Sequence, residues 1–211
     1  MRRPRTSNRR ARRKAAASWA CLSIVVAACG AGPARLVGYE VLPTPEVGGF
    51  TLADAAGDDT PFVLRAPPGD VLVVYLGFTH CPDACPTALA EIRAAMSELG
   101  PRAERVDVAM ITVDPARDAG RDFAAYVHQF VADGHALRTD DPIRLREIVS
   151  AFGASSAART DDADMEVAHT DYTYAVDDAG RVVVTWTAEM STDDIVNDLE
   201  ILLERAQQEL R

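Results

Sequence analysis

The chain has 211 residues, 48% of them hydrophobic, four cysteines and a formal net charge of −10. That length suits one globular domain with extensions. The charge is uneven: residues 1–28 hold seven arginines and Lys14 with no acid, so the remainder carries 14 basic against 32 acidic residues, a net of −18. A body that acidic is not built to hold a polyanion, which argues against nucleic acid as a partner.

The basic run ending at Lys14 is followed by an apolar stretch, Ala15 to Ala28, too short to span a bilayer comfortably. This is the layout of a signal peptide over residues 1–28. The stretch closes on Val26-Ala-Ala-Cys29-Gly, which resembles the lipobox of bacterial lipoproteins. That resemblance implies lipid on Cys29 and a body held at the extracytoplasmic face of the cell membrane. Gly30 to Pro45 is broken by Gly and Pro and has no periodicity, so residues 29–45 are expected to form a tether. Cys21 leaves with the signal and Cys29 takes the lipid. Only Cys81 and Cys85 then remain in the folded body, residues 46–211, and a lone dithiol in an oxidising compartment is a disulfide or a ligand pair.

Gly49 to Asp54 and Pro61 to Leu64, separated by Gly57-Asp-Asp, read as a small hairpin. Val71 to Leu76 is an apolar, β-branched run that suits a strand buried on both faces. Gly77 to His80 breaks it, and from Thr87 the pattern turns helical through Leu89, Ile92, Met96 and Leu99. Arg105 to Val113 is a second buried strand, ending at Asp114-Pro-Ala-Arg-Asp118. Phe123, Tyr126, Val127 and Phe130 mark an amphipathic helix. A short strand follows at Ala136 to Thr139. The next helix starts at Pro142, with Ile143, Leu145, Ile148, Val149 and Phe152 facing inward. Gly153 to Val167 reads as an exposed loop, acidic at Asp161, Asp162, Asp164 and Glu166 and closed by His169-Thr-Asp. Tyr172 to Val176 and Arg181 to Trp186 form a hairpin around Asp177-Asp-Ala-Gly180. Thr192 caps a last helix that turns Ile195, Leu199, Ile201 and Leu202 inward. This order, β-β-β-α-β-α-β-α-β-β-α, predicts an α/β, thioredoxin-like fold: a mixed sheet, parallel in part, with helices on both faces.

The chemistry gathers where the first buried strand becomes a helix. Free amides and the helix dipole there favour thiolate over thiol. If the turn is already coiled, Cys81 and Cys85 at i, i+4 lie on one side of it, able to close a disulfide or to share one metal ion. Gly77-Phe-Thr-His-Cys-Pro-Asp-Ala-Cys-Pro-Thr-Ala-Leu89 resembles the signature of the Sco/SenC family. The thioredoxin motif has two residues between its cysteines; this chain has three, as that family does. The resemblance, over residues 46 to 205, implies a membrane-attached, thioredoxin-like protein that binds copper and serves assembly of cytochrome c oxidase. It also implies a third copper ligand at His169, where Val167-Ala-His-Thr170 precedes Tyr172 and Tyr174 as in that family.

Two thiolates select Cu(I) and an imidazole admits Cu(II). Zinc accepts the same set, and only the resemblance favours copper. Supporting roles fall to Asp83 between the cysteines, to His80 and to Asp114, whose Asp114-Pro and Arg117-Asp118 match the family's motif; Ala119 departs from it, standing where a typical member has threonine. Met165 lies near His169 as a conceivable weak ligand, and His128 and His135 are expected to be surface or structural. Three activities share these residues: a copper metallochaperone delivering to the CuA centre of cytochrome c oxidase subunit II, a thiol–disulfide oxidoreductase reducing that subunit's cysteines, and a peroxidase-like thiol enzyme. Another copper chaperone or a thiol reductant would be the further partners. Thioredoxin-type enzymes place a proline opposite the dithiol. No proline follows Pro142 here, and His169 occupies that region instead, which favours metal over a disulfide substrate.

Overall fold

The longest β-branched run of the sequence becomes the middle of the sheet. β3 (Val71–Gly77) is buried at every residue, because it has a strand on each side and helices above and below. In the computed structural model, which describes residues 35–157, 168–169 and 171–211, the hairpin β1 (Thr51–Asp54) and β2 (Thr60–Val63) comes first. A short 3-10 turn, Ala55–Gly57, joins its strands. Then follow α1 (Ala84–Leu99), β4 (Val106–Thr112), α2 (Gly120–His128), β5 (His135–Arg138) and α3 (Pro142–Ala151). A small pair β6 (Ser156–Ala157) and β7 (Ala168–His169) precedes β8 (Tyr172–Val176), β9 (Val182–Thr187) and α4 (Thr192–Glu209). The main sheet runs β2-β1-β5-β4-β3-β8-β9, with β5, β4 and β3 parallel and the other pairings antiparallel.

Strand register decides which helix covers which face. Tyr75, Thr173 and Trp186 line up across β3, β8 and β9. On that side Trp186 donates its indole N–H to Asp198 of α4, and α1 packs on α4. Val74 and Tyr174 point the other way, where Phe152 at the end of α3 meets Tyr174 with ring centroids 4.8 Å apart. Helices therefore cover both faces, as the element order implies. Gly180, at φ 78°, closes the β8–β9 turn and lets Gly48 approach, because a Cβ there would fall 2.3 Å from the Gly48 Cα.

Four local expectations change. The helix of the dithiol begins at Ala84, three residues before Thr87, since Pro86 sits in a first turn that needs no amide. Ser191, not Thr192, caps α4: its hydroxyl accepts the Asp194 amide while the Asp194 carboxylate accepts the Ser191 amide. Ile143 is 59% exposed, because Leu145, Ile148, Val149 and Phe152 form the helical stripe and residue 143 falls outside it. The stretch expected as a tether is docked over its second half. Tyr39 and Thr185 exchange backbone hydrogen bonds at 2.9 Å, Pro45 accepts from Val182, and Asp198 takes the amides of Val37 and Gly38 at 2.8 Å each. Residues 1–34, with the expected signal and Cys29, lie outside the described residues, as do 158–167 with Met165 and the loop acids. Among the described residues no helix is long and apolar enough to cross a membrane.

Candidate metal centre

Past β3 the chain turns through Phe78, Thr79 and His80 to Cys81, and enters α1 with Asp83 at the cap position. Cys81 is half-buried and Cys85 fully buried, and no disulfide joins them. The Cys85 amide donates to the Cys81 sulfur at 3.2 Å, so that sulfur serves one of the unpaired N–H groups of the helix start. The two side chains thereby share one turn, as the i, i+4 spacing anticipates. Gly77 makes the room: a Cβ there would lie 2.6 Å from Tyr75, 2.9 Å from Met110 and 3.1 Å from the Cys85 sulfur. The expectation that the helix start favours thiolate fails for Cys85. Burial pushes its thiol up to about 12, its hydrogen bond with Cys81 adding to this against the lowering by the Tyr75 hydroxyl and the Phe78 backbone.

The loop before Cys81 is held by Asp118, which is 1% exposed. Its carboxylate accepts the Thr79 amide at 3.0 Å, the Thr79 hydroxyl, and the Thr112 hydroxyl at 2.6 Å. It thus ties the end of β4 to the dithiol loop. Sequence reasoning placed weight on Asp114 instead. Asp114 pairs with Arg117, and its carbonyl accepts the amides of Arg117 and Asp118, so it builds the turn that presents Asp118 inward. The signal available in the sequence was the threonine ending each neighbouring stretch, Thr79 and Thr112, facing an acid across a tight turn. His80 is exposed; its Nδ1 meets the Thr79 hydroxyl at 2.9 Å and lies 3.8 Å from Asp118. Asp83 makes no side-chain cap bond and lines a groove of about 300 Å³ with Glu91, Asp171, Trp186 and Met190.

Two tyrosines also belong here and were not anticipated. The Tyr75 hydroxyl donates to Asp171 at 2.8 Å and is hydrogen-bonded to Cys85. Tyr126 of α2 stands close enough to both cysteines and Asp118 for their charges to raise its phenol further, beyond the larger effect of burial. The backbone of His169 pairs with Ser156 in the small second sheet, and its imidazole lies outside the described residues. Among the described residues no three His, Cys, Asp or Glu side chains gather as a metal cluster. His135 pairs with Asp54 at 2.7 Å and stacks on Phe62, and His128 meets the Gly134 carbonyl, so both have structural partners as expected.

A buried and a half-exposed thiol on one turn, at the strand-to-helix junction of this mixed sheet, define a dithiol protein of the thioredoxin-like class. The family model described as SCO1/SenC matches residues 41–204. The chain belongs to that family. The solution structure of apo Sco1 from Thermus thermophilus superposes with a TM-score of 0.68 at 30% identity, over 81% of this chain and 98% of that one. The structure of Bradyrhizobium japonicum ScoI with copper bound gives 0.63 at 27% identity, over 72% and 96%. Among curated proteins, an SCO2-like protein of Rickettsia prowazekii is 28% identical over 131 residues, 61% of this chain and 63% of that protein. The human mitochondrial SCO1 homologue is 30% identical over 117 residues, 54% of this chain and 38% of its own length. The chain thus spans less than two thirds of these curated relatives.

Proposed function

We propose that the protein is a copper carrier that delivers the ion to the CuA centre of cytochrome c oxidase subunit II during oxidase assembly. The observation that carries this reading is the Cys85 amide on the Cys81 sulfur, which aligns the two thiols on one helical turn. Soft thiolates suit Cu(I), and His169 completes the set in this reading. Cys85, fully buried, retains the ion; Cys81, half-exposed, is the ligand a receiving protein displaces first. Asp118, presented by Asp114, fixes the loop, while His80 and Asp83 stand at the rim. The copper-bound Bradyrhizobium relative supports copper as the ion, and membership of the SCO1/SenC family supports the oxidase as destination. A signal over residues 1–28 and lipid on Cys29 would hold the body at the extracytoplasmic membrane face, with another copper chaperone as source and a thiol reductant keeping the pair open.

The second reading is reduction of the oxidase cysteines. It is favoured by the adjacency of the two sulfurs on one helical turn. In that reaction the two thiols lose two electrons and two protons to the partner's disulfide and close as Cys81–Cys85.

One experiment separates the readings. Reduced protein is titrated with Cu(I) against a competing chelator, alongside Cys81→Ser, Cys85→Ser and His169→Ala, and the potential of the pair is measured. Tight binding that either serine variant abolishes and His169→Ala weakens supports the carrier. Weak copper binding with a thioredoxin-like potential supports the reductase, and tight Zn²⁺ binding without Cu(I) preference overturns copper.

A further inference from the structure

The β3–β8 ladder ends at the pair Tyr75 and Thr173. Two residues further in the same register, position 171 falls level with Gly77, whose own Cβ position lies beside the Cys85 sulfur. Asp171 occupies that place, two residues after His169, and accepts the Tyr75 hydroxyl at 2.8 Å. The same hydroxyl is hydrogen-bonded to the Cys85 thiol. A single phenol therefore touches the buried sulfur and the chain that returns from His169. Tyr75 is fully buried in the central strand, so it is a fixed post, while Asp171 is bonded at the start of an element. From the other side, His169 pairs through its backbone with Ser156.

We propose that the Tyr75–Asp171 hydrogen bond positions His169 for the metal, making Tyr75 and Asp171 positioning residues of the site. The inference rests on the copper-carrier reading above. Two extended residues span about 7 Å, so an Asp171 held at the phenol confines the Cα of His169 to a small volume beside the dithiol. Without that bond β8 is free to fray back to Thr173, and the imidazole is presented to the sulfurs at a lower effective concentration. One lost hydrogen bond to a carboxylate corresponds to a fall of roughly ten-fold in affinity.

The test is a double-mutant cycle on reduced protein, read by Cu(I) competition and by the thiolate-to-copper absorption of the Cu(II) form. Tyr75→Phe, Asp171→Ala and Asp171→Asn are made with His169 present and in the His169→Ala background. Asp171→Ala leaves the Tyr75–Cys85 contact intact and so isolates the tie. With His169 present, Tyr75→Phe and Asp171→Ala are expected to weaken Cu(I) about ten-fold and shift the absorption band. Asp171→Asn, which keeps a carbonyl acceptor, is expected to restore both. In the His169→Ala background Asp171→Ala and Asp171→Asn are expected to have no effect, while Tyr75→Phe keeps only the part of its loss that comes from its contact with Cys85. Equal losses for Asp171→Ala in both backgrounds, or no loss in either, overturn the positioning role while leaving the carrier intact. If His169→Ala alone binds copper as the parent does, the ligand assignment itself falls and takes the inference with it, and that result is read before any Tyr75 or Asp171 variant.

Discussion

At the scale of single residues, Cys85 sets the conditions under which the site works. Its thiol is pushed up to about 12 by burial, so it is protonated at neutral pH and, in the proposed copper-carrier role, must release that proton to bind the metal as thiolate. The apparent Cu(I) affinity is therefore expected to rise about ten-fold per pH unit for this proton, which a competition titration at three pH values will read. A profile flat between pH 6 and 8 would contradict the burial argument. The same shift has a stability consequence of opposite sense. A thiol whose pKa rises on folding, from about 9 to about 12, stabilises the fold below pH 9, and that contribution is lost as pH climbs toward 12. Reduced protein is thus expected to lose thermal stability across that window, and Cys85→Ser to lose less of it, since the buried tyrosines still contribute. The two cysteines were legible from spacing and from the turn around them. The thiolate expectation was not sound for Cys85, because sequence reveals the helix start but not how deeply its second residue is buried.

At the scale of elements, the site depends on how a strand end, a loop and a helix start are pinned together. Asp118 bridges β4 to the dithiol loop through Thr79 and Thr112 with almost no exposure. Asp118→Ala leaves the Thr79 amide and two hydroxyls without their acceptor, a loss of about 2–4 kcal/mol. Chemical denaturation should show that loss, together with a dithiol pair that binds Cu(I) more weakly. Gly77 acts by what it lacks. Gly77→Ala drives a methyl into Tyr75, Met110 and the Cys85 sulfur, and is expected to impair metal binding more than Gly49→Ala, where a Cβ meets nothing within 4 Å. Strand and helix order was readable because β3 and β4 are continuous apolar runs and the helices repeat at three and four. The earlier start of α1, the cap at Ser191 and the exposure of Ile143 were not, since one-residue boundaries depend on which backbone groups find partners. Asp171 escaped notice for a related reason: its partner lies 96 positions away.

At the scale of the whole molecule, two ends of the chain are brought to account by one carboxylate. Mass spectrometry of the mature N-terminus is expected to find a diacylglyceryl Cys29, and an unmodified terminus elsewhere removes the lipid anchor. The described part of the expected tether is not loose chain: residues 37 to 45 are bonded along β9 and to Asp198 of α4. Sequence reasoning missed this because Gly and Pro interrupt the pattern, while the bonds made are backbone bonds that any residue can supply.

Asp198 is fully buried and collects the Val37 and Gly38 amides, the Trp186 indole and the Asn197 amide. It therefore dictates where a soluble fragment can begin. A truncation starting at Arg35 keeps all four donors, whereas one starting at Tyr39 leaves the buried acid with only the Trp186 and Asn197 donors, at a cost of about 3 kcal/mol. The shortest well-folded version of this protein is expected to be set by that acid rather than by its first strand, although the segment it retains contributes nothing to the dithiol.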